Sequence, residues 1–196
     1  QMKATGEVMG IERSFEAALL KSIRSLENNK PDLLFKPDSD NSNLPTDDRI
    51  WDIANRIRNG SSALEETKRT YIDFWFTNAI EKIIIHEKNI INKELSKKII
   101  KESKALGFSD SYISKLKNIN EMDVRNFRKK HNIIPTYKMV DTCAAEFEAI
   151  TTYFYSTYEE ENEANPLEGK KAIVLGSGPI RIGQGIEFDY CSVHAS

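Results

Sequence analysis

Apolar side chains recur at helical spacing near the start of the chain. They follow Ser14 at Phe15, Ala18, Leu19, Ile23 and Leu26, which form one face of an α-helix. Ser14 is the expected N-cap, because its hydroxyl can accept a hydrogen bond from a free N–H group of the first turn. Residues 28–46 then hold three prolines among Asn, Asp and Ser residues. This composition predicts a linker or long surface loop, and with it a first domain boundary.

Two further helices are predicted after this loop. Thr46, followed by two aspartates, is typical of an N-cap, and an apolar stripe then continues to Gly60. The widest apolar face of the chain comprises Ile72, Trp75, Phe76, Ala79, Ile80, Ile83 and Ile84, with Phe74 and Ile85 at its margins. A face of this width predicts a central core helix that retains apolar surface for a second contact.

The later part of the chain predicts a mainly α fold with a short α/β stub at the C-terminus. One short helix ends at Gly107, a second starts at Ser109 or Asp110, and a third starts at Asn120. Between 133 and 158 the pattern is irregular, and only the β-branched and aromatic run 151–158 favours a strand. After a charged hinge, residues 171–176 are typical of a buried parallel strand that leads into a Gly-rich turn.

Composition excludes several classes of protein. The chain has 196 residues, a formal net charge of -2 and two cysteines outside any metal-ligand spacing. A zinc site, a disulfide scaffold and a wholly basic surface are therefore not expected, and the three histidines predict no metal site. The absence of a long apolar run predicts no membrane contact and a cytoplasmic protein. The chain ends without a cap or turn signal, which suggests a fragment of a longer protein.

The Gly-rich turn is the first candidate for chemistry. Gly176, Gly178 and Gly183 follow the predicted strand, where glycines allow backbone N–H groups to approach a phosphate closely. However, Arg181 replaces the third glycine of a dinucleotide motif, and Gln184 replaces the lysine of a P-loop. A tight structural turn therefore stays open beside phosphate contact.

The region 93–130 is the second candidate, because it holds eleven Lys or Arg residues against five acids. Its short helices around Gly107 faintly resemble a helix-turn-helix, so the alternative function is a helical nucleic-acid-binding module. Lysines interleaved with Ile and Leu are also typical of a solvated helix face. The sequence favours this second interpretation, with no nucleic-acid partner.

Four separate stretches together resemble the large subunit of carbamoyl phosphate synthetase. They are residues 2–11, 140–147, 155–166 and 174–190, in the same order as in that family. The resemblance implies three parts: the tail of the first (carboxyphosphate) ATP-grasp half at 1–27, a helical oligomerisation domain at 28–165, and the start of the second (carbamoyl phosphate) half at 166–196. It therefore implies a connector within a larger enzyme, with self-association as its expected interaction.

The resemblance also implies the parent reaction. The family uses two ATP to convert bicarbonate and ammonia into carbamoyl phosphate for arginine and pyrimidine synthesis, and a glutaminase small subunit supplies the ammonia. ATP, Mg²⁺ or Mn²⁺, and K⁺ are expected for the parent enzyme. The residues that bind nucleotide and metal in the family lie outside this chain, so no catalytic residue and no cofactor are expected within it.

Three residues match positions near the family's internal tunnel. They are Glu7, Gly185 and Glu187, and the carboxylates of the two glutamates can hold water and polar intermediates through hydrogen bonds. The chain departs from the family at Glu12, where glycine is frequent, and in the loop 36–46, which is short. These departures predict a rearranged join between the first half and the helical domain.

Overall fold

Local side chains fix most of the helix boundaries. A computed structural model describes residues 8–26, 28–37, 45–151 and 153–175, together with 190, 194 and 195. Within these ranges the elements are α1 (Phe15–Ser25), α2 (Arg49–Arg58), α3 (Ala63–Thr70), α4 (Phe74–Asn92), α5 (Lys97–Ala105), α6 (Asp110–Lys117), α7 (Glu121–Lys130), β1 (Thr136–Met139) and β2 (Phe154–Thr157). The predicted, mainly helical fold is confirmed.

Three of the predicted helix starts are confirmed by cap hydrogen bonds. Ser14 accepts from the N–H of Ala17 at 3.3 Å, and Ser109 accepts from that of Tyr112 at 2.9 Å. The Asn120 side chain accepts from the N–H of Met122 at 2.8 Å. Each bond lies within three residues of its cap, so these starts depend on local sequence alone.

Two helix starts differ from the prediction. Asp48, rather than Thr46, occupies the N-cap position of α2, and its side chain makes no cap hydrogen bond. The apolar periodicity does not predict α3, because this eight-residue helix is mostly polar. Its signal is a capping box, in which the Ser62 hydroxyl and the Glu65 carboxylate each accept from the other's backbone N–H.

Helix α4 lies at the centre of the fold. It contacts α1, α2, α3, α5 and α6. Ile83, Ile84 and Ile90 on its inner face are fully buried and belong to one core cluster with Leu20 of α1. The predicted central core helix is confirmed for this part of the apolar stripe.

Residues 28–37, the described start of the predicted loop 28–46, are partly buried against the helices and do not form a linker or surface loop. Leu33 is fully buried in the main core, and the neighbouring polar backbone groups are bonded to α2. The indole N–H of Trp51 donates to the carbonyl of Asp32 at 2.8 Å, and the Asn55 amide donates to that of Phe35 at 3.0 Å. The prolines and aspartates correctly exclude a helix over residues 28–37, and side chains of α2 bond two of the backbone carbonyl groups of this stretch.

The two strands form an antiparallel pair in which Thr136 is opposite Thr157 and Met139 is opposite Phe154. The predicted strand in 151–158 is thus confirmed for residues 154–157, whereas β1 is not predicted by its irregular pattern. The prediction of a buried strand at 171–176 is wrong for residues 171–175, which are described and are exposed and unpaired. A buried parallel strand needs neighbouring strands to bond its backbone groups, and no described strand lies beside these residues.

A buried ion pair joins α2 to α4. Arg58 donates two hydrogen bonds of 2.9 Å to the Glu87 carboxylate, which is almost completely buried. The Tyr112 hydroxyl donates to the same carboxylate. Burial, reinforced by Glu87, raises the pKa of Tyr112 well above its usual value. The phenol therefore remains a donor, and the carboxylate is fully satisfied although it lies within an apolar core.

Gly107 permits a close contact between the end of α5 and α1. Gly107 follows the end of α5 and has a φ of +88°. A Cβ added to it would lie 2.6 Å from the Cα of Ala17 in α1. We expect Gly107→Ala to destabilise the protein by about 3 kcal/mol, because strain at positive φ adds to a backbone clash. Gly60→Ala is the matched control, since Gly60 also has positive φ but has no atom within 4 Å of the added Cβ. Urea unfolding should show a smaller loss of unfolding free energy for Gly60→Ala than for Gly107→Ala. Equal losses would contradict the close contact.

Removal of Arg58 should leave Glu87 charged and buried without its ionic partner. We expect Arg58→Met to lower the free energy of unfolding by about 3 kcal/mol, and a second substitution, Glu87→Met, to restore most of this loss. Lys98→Met is the control, because Lys98 forms an exposed pair with Glu102 and should change stability by less than about 0.5 kcal/mol. Urea unfolding of the wild type and these three variants tests this, and a double variant no more stable than Arg58→Met would contradict it.

Candidate functional site

A group of aromatic side chains is exposed where α3 meets α4. We call it the aromatic ridge, and it consists of Tyr71, Phe74, Trp75 and Phe76, together with the half-buried Phe15 of α1 that packs against it. Tyr71 is 94% exposed, Trp75 is 57% exposed and Phe74 is 47% exposed. The placement of Trp75 and Phe76 in the core by their spacing is therefore wrong. Among the other described rings, only Phe15 packs against Trp75 and Phe76.

The turn that presents the ridge is held by side-chain hydrogen bonds. The Thr70 hydroxyl donates to the carbonyl of Glu66 at 2.7 Å and accepts from the N–H of Ile72. Asp73 caps α4 by accepting from the N–H of Trp75 at 2.8 Å. Tyr71, between them, has a φ of +58°, which costs about 1 kcal/mol for a residue with a Cβ. The chain thus holds an exposed aromatic side chain on a strained backbone, a combination that favours a functional role.

Ring contacts fix the inner part of the ridge. The ring centroid of Phe15 lies 5.0 Å from that of Trp75 and 5.2 Å from that of Phe76. Trp75 and Phe76 meet edge to face, also at 5.0 Å. Because these side chains are already ordered, a partner that covers them would lose little side-chain entropy. Aromatic side chains in such a setting are the usual anchors of protein interfaces.

The ridge continues along the outer face of α4 as a mixed stripe. Ile85 lies three turns after Phe74 on the same side of the helix and is also exposed. Between them, Lys82 forms an ion pair with Glu16 of α1 at 3.2 Å. The helical spacing predicts Phe74 and Ile85 as excess apolar surface. It does not predict Tyr71, whose only sequence signal is an aromatic residue between two helical patterns.

Two cations of the basic region 93–130 are structural. Lys104 and Arg128 are buried and bind opposite oxygens of the Asp110 carboxylate at 2.5 and 2.7 Å. Burial lowers the pKa of Lys104 to about 8, against the opposing effect of Asp110. Burial alone would raise the pKa of Asp110, but hydrogen bonds from both cations hold it below its usual value. These two charges serve the core and are not available to a polyanion.

Many of the predicted site residues lie outside the described residues. This applies to the Gly-rich turn with Gly176, Gly178 and Gly183, and to the tunnel candidates Glu7, Gly185 and Glu187. Within the described part of the chain, no group of three or more metal-binding side chains occurs. No helix in those ranges has the length and apolar character needed to cross a membrane.

His86 has a structural environment. It is buried in α4, and its Nε2 lies 2.8 Å from the Ser103 hydroxyl. Ser103 itself donates to the carbonyl of Ile99 at 2.7 Å, so the imidazole must be the donor in the first bond. Burial lowers the pKa of His86, which favours the neutral ring. This histidine therefore links α4 to α5.

Comparison with protein families gives two matches. Residues 7–132 match the family described as carbamoyl-phosphate synthetase large chain, oligomerisation domain. Residues 168–196 match the carbamoyl phosphate synthase preATP-grasp domain. The two matches follow each other along the chain, with the described strand pair lying between them.

Similar proteins include carbamoyl phosphate synthase large chains from bacteria and an archaeon. The chain is 53% identical over 203 residues to that of Caldanaerobacter subterraneus, and 48% identical over 204 residues to that of Thermomicrobium roseum. It is also 48% identical over 206 residues to that of Methanothrix thermoacetophila. All or nearly all of this chain is covered in each case, but it spans only 19% of the length of these relatives. With more than half of its residues matched by the oligomerisation-domain model, the chain belongs to the carbamoyl phosphate synthetase large-chain family.

Proposed function

We propose that this chain is the connector and self-association scaffold of a glutamine-hydrolysing carbamoyl phosphate synthetase large subunit. The family match over residues 7–132 carries this proposal. In the proposed parent protein, two ATP drive the formation of carbamoyl phosphate, and a small glutaminase subunit supplies ammonia in the cytoplasm. ATP, Mg²⁺ or Mn²⁺, and K⁺ bind to parts of the parent outside this chain. The chain alone is inactive.

The proposed division into 1–27, 28–165 and 166–196 is supported unequally. The match to a preATP-grasp domain from residue 168 supports the last boundary. The first boundary is opposed by the packing of α1, which shares its core with α4, and by a family match that begins at Glu7. Both observations favour including α1 in the helical domain.

We further propose that the aromatic ridge is the self-association surface, with a second copy of the chain as its partner. Exposed aromatic side chains are costly in a monomer unless a partner covers them. A two-fold contact would place the same ridge of both copies against each other, so that Phe74 and Trp75 of each copy are buried together. Lys82 and Glu16, which pair beside the ridge, would form a polar rim.

Phe74→Glu tests this surface, since Phe74 is half-exposed and makes none of the ring contacts that order the ridge. We expect association to weaken at least about tenfold, because a carboxylate would be buried against apolar rings. Light scattering coupled to size exclusion, over a wide range of protein concentration, measures this directly. Met122→Glu is the control, because Met122 is similarly exposed, at 55%, but lies on α7.

A second variant separates association from stability. Tyr71→Asn removes the exposed ring but keeps a residue that tolerates positive φ. We expect weaker association with an unchanged or higher free energy of unfolding. If the ridge variants retain the wild-type mass at every concentration, the ridge is not the interface. If the wild-type chain is a strict monomer, the contacts lie in parts of the parent outside this chain.

The parent activity is tested by a chimera. We expect a Caldanaerobacter large chain whose matching stretch is replaced by this chain to keep forming carbamoyl phosphate with its small subunit.

Glu7→Gln and Glu187→Gln in that chimera test the proposed tunnel positions. If they line the passage, glutamine hydrolysis should continue while ammonia escapes and product falls by about tenfold. A chimera that folds but makes no product would contradict the proposed function, and tight coupling in both variants would contradict only the tunnel assignment.

A further inference from the structure

The segments that precede and follow the helices meet beside α1. Lys21 extends its ammonium group between them and donates to the carbonyl oxygen of Ile11 at 2.8 Å and to that of Ser156 at 2.8 Å. It also binds the Glu12 carboxylate at 2.8 Å. An ammonium group has three N–H donors, so these three oxygens use all of them. Two backbone segments that are distant in sequence thus lie at most two hydrogen-bond lengths apart.

A second ion pair joins the same two segments. The Arg13 guanidinium lies 3.3 Å from the Glu159 carboxylate. Interaction with Glu159 and Tyr155 raises the pKa of Arg13. Lys21 itself lies 5.7 Å from the Tyr155 ring centroid. The contact is therefore made at two successive points along both segments.

The incoming segment is seated closely on α1. A Cβ added at Gly10 would lie 2.5 Å from the carbonyl oxygen of Ala18 and 2.3 Å from the hydroxyl of Ser22. The backbone of Gly10 therefore approaches the helix more closely than any side chain allows. This close approach fixes the position at which Ile11 and Glu12 meet Lys21.

The outgoing segment is held by the helical core. The Tyr158 ring lies 5.3 Å from the Lys104 ammonium and 5.8 Å from the Arg128 guanidinium. These two cations are themselves fixed by Asp110. Thr136, at the start of β1, donates to the carbonyl of Glu159 at 3.2 Å. Each segment is thus bound both to the helices and to the other segment.

We propose that Lys21, Arg13 and Glu159 form a clasp that couples the chain entering the helical domain to the chain leaving it. The domain is then a rigid coupler, because the chain before residue 11 and the chain after residue 159 both start from points that are held beside each other. Without the clasp, each segment would keep only its own contact with the helices, and the two would move independently. All of these contacts lie within one copy of the chain, and none of the clasp residues belongs to the aromatic ridge.

Paramagnetic relaxation tests the clasp on this chain. A nitroxide on Met9→Cys, with Cys143→Ser and Cys191→Ser, should broaden the amide resonances of residues 155–159. We expect Lys21→Met to reduce this relaxation at least about twofold, because it removes two charge-assisted hydrogen bonds and an ion pair. The α4 resonances should not change. Lys82→Met is the control, since Lys82 also binds an acid of α1 but contacts neither segment.

Exchange of the charges of Arg13 and Glu159 gives a second test, and neither of these side chains is buried. Arg13→Glu and Glu159→Arg should each reduce the relaxation, and the double variant should return to within about twofold of the wild-type value if the two side chains interact. The clasp is contradicted if Lys21→Met leaves the relaxation at 155–159 unchanged. If Lys21→Met also changes the α4 resonances, the test rests on the charge-exchange variants. A double variant whose relaxation at 155–159 is no higher than that of the single variants then overturns the proposal.

Discussion

The burial of one face of α4 is the constraint on which the other elements depend. Five helices pack against this one, and its isoleucines occupy the centre of the core. The same face carries Glu87, whose buried carboxylate is bonded by Arg58 of α2 and Tyr112 of α6. Apolar burial supplies the stability, and the buried charge restricts how α2 and α6 can dock.

The position of α4 also explains the exposed ridge. The first turn of this 19-residue helix is covered only in part, since Phe74, Trp75 and Phe76 are exposed while Ile83, Ile84 and Ile90 of the later turns are buried. The strained turn at Tyr71 and the cap at Asp73 then fix the direction in which the aromatic rings are presented. The surface proposed for self-association is therefore a continuation of the element that forms the core.

Helix α1 relates the ridge to the clasp. Its first residue, Phe15, packs against the rings of the ridge, and Lys21, less than two turns later, holds the incoming and outgoing segments. Arg24 of the same helix donates to the carbonyl of Gly107 at 2.8 Å. One short helix thus contacts the proposed interface, the proposed clasp and the α5–α6 corner. An assembly contact at the ridge would consequently be made by the same rigid body that holds residues 11–13 beside residues 156–159.

The sequence by itself determined the features that depend on neighbouring residues. Ser14, Ser109 and Asn120 start helices because each side chain bonds to an N–H group within three positions. The order of the motifs was enough to indicate the family, since it needs no packing to be recognised. Only the tertiary structure decided which apolar residues are covered: Leu33 is buried although its segment is rich in turn residues, and Trp75 is exposed although its spacing is that of a core residue. Burial depends on which distant element lies opposite a side chain, and periodicity carries no information about that element. Lys21 shows the same limit, because its three acceptors come from both ends of the helical domain and meet only after folding.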